Sequence, residues 1–68
     1  MTRAEKRAAK IADERINRAY MATCAGIQIN IMEIGNVFKY GRLIIAEGAD
    51  DESLRRRIRS YVETIRQN

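Results

Sequence analysis

An all-α fold is predicted by three observations. Apolar residues recur every three or four positions along most of the chain, no Pro interrupts it, and compact turn chemistry occurs only at Gly48-Ala49-Asp50-Asp51. The expected architecture is one domain over residues 1–68. A long helix over about 3–47 folds back through a turn at 48–50 onto a short helix over about 51–66. The hairpin is expected to pair with a second copy as a homodimer, forming a small helical bundle.

The long helix opens with Thr2 and Glu5, spaced for a capping box, in which hydroxyl and carboxylate each satisfy an orphan backbone N–H. Ala4, Ala8, Ala9, Ala12 and Ala19 are strong helix formers. Ala8, Ile11 or Ala12, Ile16, Ala19 or Tyr20, and Thr23 form an apolar stripe. It is expected to continue through Ile27, Ile31, Ile34, Phe38 and Ile45. A second stripe follows Met21, Ile29, Met32, Val37, Tyr40 and Ile44. Two stripes imply two contacts, because a solvent-facing helix needs one.

Ile27-Gln28-Ile29-Asn30-Ile31 competes with this reading, since it alternates with the period of a half-buried strand. Helix is preferred because Met32-Glu33-Ile34 breaks the alternation after five residues. Gly26 and Gly35 weigh against a helix interior, each at about 1 kcal/mol, and either could bend it.

Gly48 suits the left-handed position after a helix end, and Asp50 or Asp51 suits the cap of the next helix. Leu54, Ile58, Val62 and Ile65 then form the stripe of the second helix. A 45-residue helix would span roughly 65 Å and the second roughly 24 Å. The uncovered apolar length calls for a second copy across a two-fold axis. The expected dimer and hairpin core is therefore Ile27, Ile31, Ile34, Phe38, Leu54, Ile58, Val62 and Ile65.

Composition narrows the function. The chain has 68 residues and a net charge of +4, with no His and one Cys. A zinc site of Cys and His type, or a Ser–His or Cys–His nucleophile pair, cannot form within one chain. Glu33 and Glu47 lie about 21 Å apart on a continuous helix, too far for a paired-carboxylate site. The four Gly residues are dispersed, so there is no phosphate loop. No enzyme activity, cofactor or metal is expected. Cys24 reads as a small core residue. Ala19–Phe38 carries Glu33 and three amides, so it reads as a buried helix and not a membrane span. One free thiol and no visible secretory signal suit a cytoplasmic protein.

Binding is the mode left. Phe38–Ile45 holds two of the four aromatics and more apolar side chains than one face can bury. Lys39, Tyr40, Arg42 and Ile45 are its expected partner-binding residues, because Tyr and Arg combine contact area with directed hydrogen bonds. The alternative is a small basic helical DNA-binding regulator. Its contacts would be Arg55, Arg56, Arg57 and Arg59, the densest basic cluster.

The segments MTRAEKRAAKIADERINRAY, NVFKYGRLII and LRRRIRSYVETIRQN resemble the anti-quorum-sensing anti-activator proteins of Mu-like Pseudomonas phages. The resemblance extends over the whole chain. It implies a two-helix protomer, a homodimer, and action in the host bacterial cytoplasm by direct protein binding. The implied partners are the quorum-sensing activator LasR, whose DNA-binding domain would be blocked, and the pilus-assembly ATPase PilB.

Overall fold

The computed structural model describes residues Met1–Gln67, so the final residue of the expected domain 1–68 lies outside the described residues. Three helices pack as a compact bundle: α1 (Arg3–Cys24), α2 (Ile31–Ala46) and α3 (Asp51–Gln67). No strand forms among the described residues. The principal extents are 38 × 24 × 18 Å.

The expected capping box starts α1. Thr2 Oγ1 accepts the Glu5 N–H at 3.1 Å, and Glu5 Oε1 accepts the Thr2 N–H at 3.4 Å. Ile16 and Ala19 of the first stripe are buried, and Cys24 with them, while Ala8 and Ile11 of that stripe are exposed.

The single helix expected over 3–47 is instead two helices. Gly26 adopts φ +86° and Ala25 has φ −58°, ψ 132°. The Ile27 N–H donates to the Cys24 carbonyl at 3.0 Å. Together these define a type II turn, whose third position favours glycine because φ is positive there. Extended chain follows until Asn30, whose Oδ1 accepts the Glu33 N–H at 2.8 Å and caps α2. Ile27 and Ile29 pack against the core while Gln28 and Asn30 are exposed. The period-two pattern was therefore backbone information: it marks an extended link without a ladder partner.

The break also resets the helical phase, so within one protomer the stripe Ile27, Ile31, Ile34, Phe38 does not fill the core, although Ile27 and Phe38 pack against it. Ile31 is exposed; Ile27, Ile34 and Phe38 are half-buried. Val37, Gly41 and Ile44 fill the interior from α2. On α3, Leu54, Ile58 and Val62 are fully buried and Ile65 is half-buried, as expected. Each fully buried aliphatic contributes about 1.5–3 kcal/mol.

The second turn falls where expected. The Gly48 N–H donates to the Ile45 carbonyl at 2.9 Å and the Ala49 N–H to the Ile44 carbonyl at 3.0 Å. With Gly48 at φ +98°, these bonds make a Schellman end. Asp50 then caps α3, accepting the Ser53 N–H at 2.8 Å.

The helices run up, down, up. Arg15 meets Asp51 and Arg59 meets the Thr23 carbonyl, so α1 and α3 are parallel. Between them α2 runs antiparallel. A Cβ on Gly41 would lie 2.7 Å from Ile16 Cγ1, so α1 and α2 approach closely because Gly41 has no side chain. From Arg3 to Ala8 every residue of α1 is exposed.

Candidate interaction surfaces

Of the four expected partner-binding residues, one stands free. Lys39 is exposed and belongs to no ion pair among the described residues. Ile45 packs against the core. Arg42 is tied to α1: its Nε and Nη2 donate to the two carboxylate oxygens of Asp13, each at 2.8 Å. This fork holds the Asp13 carboxyl below the usual carboxylate range and raises the Arg42 guanidinium in turn; slight burial opposes both shifts.

Tyr40 lies in the seam between α2 and α3. Its ring stacks on Tyr61 at a centroid separation of 4.8 Å and an interplanar angle of 15°. The Arg57 guanidinium lies 5.6 Å from the Tyr40 ring centroid, and its Nε donates to the Tyr40 hydroxyl at 3.3 Å. That hydrogen bond, with Glu47 3.6 Å away, raises the Arg57 guanidinium. Tyr40 and Arg42 thus hold α2 in place, and are occupied as binding groups.

Large apolar side chains stand exposed on the outer face of α2 instead. Ile31 is 88% exposed, Met32 74% and Leu43 64%. Helical periodicity places them with Gly35 and Lys39 on one side, opposite Val37, Gly41 and Ile44. The excess of apolar residues in this segment was legible, but which of them faced outward was not. That depended on the phase set at Asn30.

The arginine cluster of α3 divides in two. Arg57 is held by Tyr40 and Glu47, and Arg59 by Glu63 at 2.6 Å and by the Thr23 carbonyl. The Glu63 carboxylate is the main cause of the raised Arg59 guanidinium. Arg55 and Arg56 have no acidic partner among the described residues. A recognition helix would present one basic face. Here two of its four arginines are spent on the fold.

Arg55 instead joins Arg18 of α1 across a groove of about 300 Å³, floored by Ala19, Ala22 and Leu54 and closed at one end by Arg15 and Asp51. Arg15 Nε donates to Asp51 at 3.0 Å, and its Nη2 to the Ala49 carbonyl at 2.9 Å. Sequence reading missed this pairing, because only the parallel placement of α1 and α3 brings residues 18 and 55 together.

Cys24 is a buried free thiol in the core, as expected. Among the described residues, no group of three His, Cys, Asp or Glu side chains could hold a metal ion. No described helix is long and apolar enough to cross a membrane. No protein-family model, curated protein or solved structure matches the chain.

Proposed function

We propose that the protein is a non-enzymatic inhibitor that binds host proteins directly and works as a homodimer in the bacterial cytoplasm. The observation that carries this reading is the outer side of α2, where Ile31 and Met32 stand exposed at its start and Leu43 near its end, with Lys39 between them and no covering element among the described residues. An exposed apolar patch of this kind marks a protein contact. The face is also self-complementary. Two copies of α2 meeting antiparallel across a two-fold axis bring Met32 of each against Leu43 of the other. Lys39 then lies over the side-chain-free Gly35, its aliphatic stem on apolar surface and its ammonium at the rim.

The resemblance supplies the targets: the DNA-binding domain of a LasR-like activator and a PilB-like ATPase. A chain of net charge +4 is a poor mimic of DNA, so it blocks the activator by covering it.

The test is capture of a purified LasR-like DNA-binding domain, with nuclease, at low and high salt. Stoichiometric capture that survives both, with loss of operator binding by the activator, is the expected result. No capture at any salt would end the inhibitor reading. Operator binding by the protein itself, falling steeply with salt and abolished by Arg55→Ala with Arg56→Ala, would replace it with the DNA-binding regulator.

A further inference from the structure

We propose that the groove between α1 and α3 seats a single acidic side chain of a partner protein, presented beside an apolar residue on a short helical segment. The inference rests on the reading of the chain as a protein-binding module.

The groove is built for one carboxylate. Arg18 and Arg55 stand on its two sides with no acidic partner among the described residues, while Ala19, Ala22 and Leu54 give it an apolar floor. Small floor residues leave room for a side chain to enter, and the floor rewards an apolar neighbour. Ile11 is 51% exposed and lies on the same flank of α1 as Arg15, Arg18 and Ala22, at spacings of four, three and four. Ile11 lies one turn beyond the Arg15–Asp51 pair that closes the groove, so a helix that passes over this pair would meet Ile11 with apolar surface and place its acid between the two arginines.

Charge order favours an isolated acid over a nucleic acid. Asp51 and Glu63 bracket Arg55 along α3, about 6 Å before it and about 12 Å after it. Each is held by an arginine of its own, Arg15 and Arg59. Duplex DNA carries one charge per about 1.7 Å of axis, so phosphates would fall on the carboxylates as well as on the arginines. An isolated acid meets only Arg18 and Arg55. A free small anion would leave the apolar floor unused.

The experiment is a fluorescence-anisotropy titration of the full chain with a labelled, capped helical peptide bearing one Glu flanked by Leu at four-residue spacing. Replacing that Glu with Gln is expected to weaken binding about tenfold, the scale of one charge-assisted contact. Arg18→Glu and Arg55→Glu each give a similar loss, and a Lys-for-Glu peptide regains affinity for Arg55→Glu. Ala22→Phe fills the groove without changing charge and also abolishes binding. Leu43→Asp, on the opposite side of the bundle, leaves binding unchanged. Circular dichroism of each variant confirms that it is folded.

Equal binding of the Gln peptide, insensitivity to Ala22→Phe, or a DNA duplex that displaces the peptide and outbinds it overturns the groove assignment. The two readings fail separately. Peptide binding with this variant pattern but no capture of a host target keeps the groove and loses the inhibitor. Host capture undiminished by Arg18→Glu does the reverse.

Discussion

Two glycines in one helix have opposite roles. Gly41 is buried against Ile16, and a methyl group there would sit 2.7–2.8 Å from Ile16 Cγ1 and Cδ1. Ile16 is itself fully buried, so it can give way only by repacking the core. Gly41→Ala is therefore expected to destabilise the protein by about 1–3 kcal/mol, despite the better helix propensity. Gly35 is exposed, and a Cβ there meets nothing within 4 Å. Gly35→Ala is expected to stabilise the protein by about 0.5–1 kcal/mol. Urea midpoints, measured at concentrations low enough to exclude self-association, should move in opposite directions. Asp13 gives a pH signature. Its folded pKa is lowered by Arg42, so its contribution is present above the unfolded pKa and is lost as pH falls through the folded one. Both partners are more than a third exposed, which screens the pair to at most about 1 kcal/mol. The stability gap between the parent and Asp13→Asn should close below about pH 4. A gap that persists to pH 2 would show that the ion pair is not its cause.

At the scale of elements, the tyrosine stack couples α2 to α3. A double-mutant cycle over Tyr40→Leu and Tyr61→Leu is expected to return about 0.5–1.5 kcal/mol of coupling. Additive effects would mean that the rings merely share a surface. Much of this level was legible in the sequence. The Thr2–Glu5 box, the Gly48 turn, the Asp50 cap and the face of α3 were all encoded locally, in side chains that bond backbone a few residues away. The junction at 25–30 was harder. Gly26 is cheap enough in a helix that propensity alone does not condemn it, and the five-residue alternation competed with a longer helical pattern. Asn30 decided the matter by capping α2, and it looked like one more polar residue in an apolar run. The phase set at Asn30 turns Val37 into the core and Ile31 out of it. Tyr40 and Arg42, expected to meet a partner, make their directed contacts within the fold, because Tyr61 and Asp13 lie on other helices that only the tertiary structure brings near.

The bundle as a whole covers its own core and leaves one helix face apolar. A single long helix would be a rod of roughly 65 Å with most of its length uncovered; the molecule is 38 Å in its longest extent, and its uncovered apolar surface on α2 is Ile31, Met32 and Leu43. Leu43→Asp is expected to reduce the mass in light scattering from dimer to monomer at micromolar concentration, with the helical signal unchanged. A monomeric parent protein would remove the self-association proposal.

The free N-terminal stretch of α1 has a kinetic consequence. Over Arg3–Ala8 every residue is exposed, and besides the ladder itself the helix end is held by the Thr2–Glu5 box. Such turns open locally, at a fraction of the cost of global unfolding. Their amide hydrogens should exchange with deuterium orders of magnitude faster than those near Ile16. Trypsin should cut first at Arg3, Lys6, Arg7 and Lys10, leaving a trimmed bundle whose unfolding midpoint is nearly that of the intact chain. The molecule would then have two clocks, a fast one at its basic tip and a slow one set by Ile16, Ile44 and Ile58.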